Sequence, residues 1–176
     1  MKLKKLTIIV FAFMAILLAN SITNAQFRRR PQRHKLRSVT PVTSIGVRFG
    51  NDFKHDQLFL GGHLWLPVGF FWKLAPSFEY YFVDEEEKYN RWQFNADFMF
   101  KPRPRYPLYF GGGVAVNYSI PEEADSETKV GGNAVIGLDF GRIRLPSMYP
   151  YIQARWTFME EETYFSLLGG INLVLK

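Results

Sequence analysis

The stretch RWQFNADFMFK, residues 91–101, alternates with a period of two. Trp92, Phe94, Ala96, Phe98 and Phe100 share one face. Arg91, Gln93, Asn95, Asp97 and Lys101 share the other, and Met99 alone breaks the pattern. Successive side chains of a strand point to opposite faces, whereas helical spacing would scatter these aromatics round a cylinder, so the stretch reads as a strand. A soluble sheet can also have one apolar and one polar face. Here the apolar face is made of large aromatics and the pattern recurs along the chain, which predicts a barrel with a lipid-facing outside and a polar inside.

Seven further segments read the same way. About 43–50 turns Ile45, Val47 and Phe49 out and Arg48 in. About 57–66 turns four leucines out and His63 in. About 69–82 turns out Phe70, Trp72, Leu74, Phe78, Tyr80 and Phe82, against Lys73, Ser77, Glu79 and Tyr81. The runs 108–119, 130–140, 150–158 and 164–176 complete eight, with Asn117, Asn133, Asp139 and Arg155 inward and Trp156 and Phe158 outward. Eight is even, as single-chain bacterial barrels require. Pro76 lies inside the third segment and removes a ladder donor, which predicts a bulge or a local break there.

The first 25 residues read as a cleaved signal peptide. Lys2, Lys4 and Lys5 precede an apolar run from Leu6 to Leu18, and Thr23-Asn24-Ala25 follows. As a helix that run would reach only about 20 Å, short of a bilayer core of about 30 Å. The expected organisation is therefore a signal peptide over 1–25, a basic periplasmic arm over 26–42 and an outer-membrane barrel over 43–176. The chain has no cysteine, which excludes thiol catalysis and thiolate metal sites. Its net charge of +6 comes from the leader and the arm. Residues 38–176 hold 13 basic and 16 acidic residues. A nucleic-acid partner is accordingly not expected.

The connections alternate in charge. Those after the first, third, fifth and seventh strands are acidic (NDFKHDQ, VDEEEKYN, IPEEADSETK and MEEET). Those after the second, fourth and sixth are Pro-rich or basic. An even strand count puts both termini on the basic side, which fits periplasmic termini and acidic loops outside.

With strand number, alternation and leader in view, the chain resembles the small eight-stranded outer-membrane barrels of the OmpA/OmpX type, in the outer-membrane β-barrel superfamily. The resemblance covers 43–176. In that family the last strand usually reads as a glycine followed by alternating aromatics ending in Phe or Trp. Gly170-Ile171-Asn172-Leu173-Val174-Leu175-Lys176 matches the glycine and the alternation and lacks the final aromatic. The resemblance implies a Gram-negative cell envelope, insertion by the barrel assembly machinery, and contact with outer-membrane lipid and lipopolysaccharide.

The inward charges Arg48, Lys73, Glu79, Arg91, Asp97, Asp139 and Arg155 are expected to pair in a narrow lumen, because isolated buried charges are costly. The sharper alternative is a gated path for ions or small solutes. Trp72, Phe78, Trp92, Phe94, Phe98, Phe100, Trp156 and Phe158 are expected to face lipid. His63, Ser77 and Glu79 supply the residue types of a hydrolytic set, without a nucleophile motif beside them. No catalytic residue, cofactor or resident metal is expected. The acidic loops offer oxygen ligands that divalent cations could bridge to lipopolysaccharide phosphates, but they lack the spacing of a calcium loop. The expected role is structural, in membrane integrity or surface contact. A soluble lipid-binding barrel is a further alternative, since alternation alone does not say which face is the lumen.

Overall fold

The computed structural model describes residues 42–83, 89–102, 106–121, 126–140 and 147–175. The chain divides into Met1–Ser38 and Val39–Lys176. The signal peptide and almost all of the basic arm therefore lie outside the described residues. The second unit holds eight strands: β1 (Ser44–Asp52), β2 (Gln57–Pro67), β3 (Trp72–Phe82), β4 (Tyr89–Phe100), β5 (Leu108–Pro121), β6 (Glu127–Asp139), β7 (Met148–Met159) and β8 (Thr163–Val174). Each pairs antiparallel with its sequence neighbour, and β1 pairs with β8, so the sheet closes.

The closed ring is staggered. Register partners run from Asp52 through Ser166, Arg155, Val135, Gly111, Met99, Lys73 and Pro67. Extending the β1–β2 pairing by two residues then returns the path to Val42, a stagger of ten residues from position 52. Strand tilt follows from stagger and strand number, typically about 35–45°. A strand of 12 residues such as β4, β7 or β8 then spans about 30 Å along the axis.

Alternation sorts the strands completely. Every charged strand residue (Arg48, Asp52, Lys73, Glu79, Arg91, Asp97, Glu127, Lys129, Asp139, Arg155) falls on the inward set of positions. The outward set holds no charge. Its amides and threonines are Asn51, Asn90, Thr128 and Thr163, all at the strand ends nearest the acidic loops. The inward set is not purely polar, however. Phe59, Trp65, Tyr81, Met99, Tyr109, Tyr149, Tyr151, Tyr164 and Leu168 are all buried. The charges therefore keep strictly to the inward set, whereas large aromatics occupy both sets.

Glycine makes room for these rings. Gly46 faces His63, Gly50 faces Phe59, Gly137 faces Tyr109 and Gly170 faces Tyr151, each as a direct register partner on the adjacent strand. A methyl group on Gly170 would stand 2.6 Å from Tyr151 Cε1 and 2.5 Å from the Val47 carbonyl oxygen. Alternating small and large inward residues is how a small barrel fills its interior. The glycine clusters are thus seats for side chains as well as points of flexibility.

Pro76 is accommodated by a local break. Its pairing with Ala96 on β4 is continuous. On the β2 side the ladder stops at His63–Ser77 and resumes at Leu66–Leu74 in unchanged register, so there is no bulge. Phe70 lies in the turn before β3, not within the strand.

Gly170→Leu should prevent closure, because β8 carries the seam to β1. The compact, heat-modifiable band on a semi-native gel should disappear. Gly62→Ala should keep that band, since the nearest atom to its added methyl lies 3.8 Å away.

Candidate functional site: the charged interior

The inward side chains meet at three levels. Nearest the acidic loops, Arg91 Nη1 donates to Asp52 Oδ2 at 3.0 Å and to Gln57 Oε1 at 3.0 Å. Its guanidinium lies between the rings of Tyr81 and Tyr164, at 4.3 and 4.9 Å from their centroids. Asp52 also bonds His55 Nδ1 at 2.8 Å. His55 and Lys54 both reach Glu162, at 3.4 and 2.8 Å, and so tie the β1–β2 turn to the β7–β8 turn. The hydrogen bond from Lys54 holds the Glu162 carboxyl below the usual glutamate range. Asp56 supplies the left-handed residue of the β1–β2 turn, with φ of 54°.

At mid-depth Glu79 is fully buried and is the common acceptor. Arg155 donates to it through both terminal nitrogens, at 2.8 and 2.5 Å. Arg48 adds a bond at 3.2 Å and the Tyr81 hydroxyl one at 3.3 Å. The two-pronged contact is the strongest geometry open to an arginine–carboxylate pair. Beside this cluster an amide chain crosses the barrel wall. Gln93 donates to Asn95 at 2.7 Å, and Asn133 donates to Asn95 at 2.9 Å and to Asp97 at 3.0 Å. Asn133 on β6 reaches β4 because the inward residues of β5 between them are Gly111, Gly113 and Ala115.

Nearest the termini the interior is aromatic. Trp65 packs against His63, Tyr109, Tyr149 and Tyr151, with centroids 5.0–6.0 Å apart. Lys73 Nζ lies 4.5 Å from the Trp65 ring centroid. Asp139 takes Lys101 at 2.6 Å and Lys73 at 3.8 Å.

All seven charges named from sequence are inward, but they form three clusters instead of one network. Arg48 and Arg155 meet at Glu79, Lys73 meets Asp139, and Arg91 pairs with Asp52. Asp97 has no ion pair among the described residues; its hydrogen bond comes from Asn133. The set of interior charges named from sequence leaves out two partners at strand ends: Asp52, which falls in the NDFKHDQ connection, and Lys101, which the alternation puts on the polar face of its strand but which also opens a basic connection. Sequence reasoning misses the Trp65 cluster because residues 58–60 and 64–66 are apolar on both faces. Of the aromatics expected outside, Trp72, Phe78, Phe94, Phe98, Trp156 and Phe158 are exposed, and Trp92 and Phe100 are half-buried among neighbouring rings. His63 and Ser77 are register partners, yet His63 bonds Asn172 and Tyr151 while Ser77 accepts from Arg48 and Asn95. No nucleophile–base contact joins them.

Two solved structures share this architecture. The N-terminal β-barrel domain of Pseudomonas aeruginosa OprF superposes with a TM-score of 0.62 at 15% identity, covering 76% of this chain and 96% of that domain. The chain has the fold of the small eight-stranded outer-membrane barrels. Neisserial surface protein A gives a TM-score of 0.58 at 10% identity, again covering 76% of this chain and 96% of its own. No family model matches the sequence, and no curated protein matches it.

Glu79→Ala should destabilise the barrel by about 3–5 kcal/mol, because it leaves Arg48 and Arg155 buried without their counter-ion. Asp97→Asn keeps an acceptor for Asn133 and breaks no ion pair, so it should cost no more than about 1 kcal/mol. Urea unfolding in detergent micelles measures both, and equal losses would contradict this division of the interior.

Proposed function

We propose that the protein is an integral outer-membrane β-barrel with a structural role. It reinforces the membrane and presents a small acidic surface, and it carries no catalytic site. The observation that supports this best is the sorting of charge. No charged residue lies on an outward strand position, while 26 large hydrophobic side chains are exposed among the described residues. Soluble monomers rarely expose apolar patches beyond a few hundred Å². Around a closed ladder, the same surface is what hydrocarbon requires. The basic, apolar leader supports export through the inner membrane, and the alternating loop charges support periplasmic termini.

In this reading the three ion-pair clusters and the Trp65 ring group close the lumen to solutes. An eight-stranded barrel is just wide enough for side chains to fill. The acidic loops would meet lipopolysaccharide, with divalent cations bridging carboxylates to its phosphates, and insertion would use the barrel assembly machinery. The connections are short for capture of a large ligand, which favours membrane integrity over specific adhesion.

A second reading, a narrow pore, draws on one feature of the same interior. Among the described residues, nine buried polar atoms have no protein partner, including Arg91 Nε and Nη2, Asn117 Oδ1 and Ser166 Oγ. Water is the ordinary partner of such groups.

The purified mature chain should need detergent to stay monodisperse, and in a planar bilayer it should give no steady conductance. Discrete, persistent current steps would overturn the closed lumen. A monodisperse protein free of detergent would overturn the membrane assignment.

A further inference from the structure

Seven of the eight ladders in the barrel wall run without interruption. The β2–β3 ladder alone does not: it lacks Leu64 opposite Pro76 and Trp65 opposite Ala75. A single missing donor accounts for both positions. The amide and carbonyl of one strand residue point to the same neighbour, and those of the next residue to the opposite one. The β3–β4 ladder passes through Pro76 unbroken, so the N–H that proline lacks is the one that would face β2. Its acceptor would be the Leu64 carbonyl, and the Trp65–Ala75 pair is bracketed by the same bond. Ala75 and Ser77 aim their amides at β4, so β3 offers that carbonyl no substitute donor. The other strand prolines sit at ladder margins. Pro67 and Pro121 end β2 and β5, and the Pro150 carbonyl accepts from Phe140, just past the end of β6.

The surroundings do little to close the gap. Leu64 faces outward with Leu60 and Leu66, so its carbonyl borders lipid in the membrane reading, where an unpaired backbone group is costly. Gly62, the next outward residue on β2, has no side chain to cover it. On the inside, His63 and Ser77 are register partners but bond away from each other. His63 bonds Asn172 on β8 and Tyr151 on β7, while Ser77 accepts from Arg48 on β1 and Asn95 on β4. Directly behind the gap stand Ala75 and Trp65, each 1% exposed. The Trp65 indole Nε1 is a buried donor with no protein partner among the described residues.

We infer that the barrel wall parts between β2 and β3 at this point, opening Ala75 and Trp65 to lipid, while the β1–β8 seam stays shut. Local opening of a folded chain draws on the places where its hydrogen bonding is thinnest. The seam between the chain ends is not such a place, because its nine register pairs from Ser44–Val174 to Asp52–Ser166 are continuous. Through the parting, a molecule dissolved in hydrocarbon meets the Trp65 donor without passing either mouth. The lipid side of the opening rests on the membrane reading above; the position of the parting line rests on the ladder.

The chain has no cysteine, so single cysteines can be labelled cleanly. The test compares A75C, behind the gap, with A115C on β5 and S166C on β8. All three positions are buried and inward, and the Ser166 hydroxyl has no protein partner to lose. The folded chain in phosphatidylcholine vesicles is treated with a lipid-soluble maleimide or with a membrane-impermeant one, and heat-modified gel mobility reports folding. With the lipid-soluble reagent A75C should react at least tenfold faster than A115C or S166C. Adding P76V, which restores the missing N–H, should bring A75C down to their rate. Equal rates at the three sites, a rate at A75C that P76V leaves unchanged, or faster labelling of A75C by the impermeant reagent each overturns the inference. Hydrogen exchange of the unmodified chain in micelles tests the line without any variant. The Leu64 and Leu66 amides should exchange at least tenfold faster than those of the β1–β8 ladder, and uniform exchange overturns the parting line. A chain monodisperse without detergent overturns the membrane reading and the lipid route with it, while the exchange pattern still decides where the wall parts.

Discussion

Closure of the ladder between β1 and β8 is the constraint from which the rest of the molecule follows. An open sheet leaves two rows of backbone donors and acceptors unpaired. Register from Ser44–Val174 to Asp52–Ser166 removes both rows. With only eight strands and a stagger of ten, the enclosed space is narrow, so whatever points inward must pack against the opposite wall. The interior is consequently a core in its own right, built from charges, amides and rings in place of aliphatic groups.

That core resolves its electrostatics locally. Each depth has a carboxylate with its own cations: Asp52 with Arg91, Glu79 with Arg48 and Arg155, Asp139 with Lys73 and Lys101. Pairing at each level avoids the cost of an isolated buried ion. Tyr81 links two levels by bonding both Glu79 and Gln93 while lying under Arg91. The amide chain through Asn95 and Asn133 supplies lateral connection across β5, where the intervening inward residues Gly113 and Ala115 are too small to obstruct it.

How much of this was legible in the sequence depended on whether one face of a strand was unambiguous. In β4 the contrast between Trp92, Phe94, Phe98 and Arg91, Gln93, Asp97 fixed both faces, and Met99 proved to be an inward side chain seated opposite Gly111. In β2 the run LFLGGHLWL is apolar at adjacent positions, so alternation could not reveal that Phe59 and Trp65 point in. Strand count, closure partners and outward positions were readable because period two and charge carry them. The grouping of charges was not, because which of several cations reaches Glu79 depends on stagger across the barrel, a quantity absent from any single strand. The same holds for Asp97, whose position was evident and whose lack of an ion pair was not.

The pairing of four inward rings with a glycine across the ladder has a consequence for how such a chain can change over time. The ring and its seat behave as tooth and notch, so enlarging the notch residue alone jams the wall, and shrinking the tooth alone opens a void. Divergence at Gly46 and His63, Gly50 and Phe59, Gly137 and Tyr109, or Gly170 and Tyr151 is therefore confined to concerted exchanges within a hairpin. Lineages sharing this architecture should show those positions drifting in couples, even where little else of the sequence is retained.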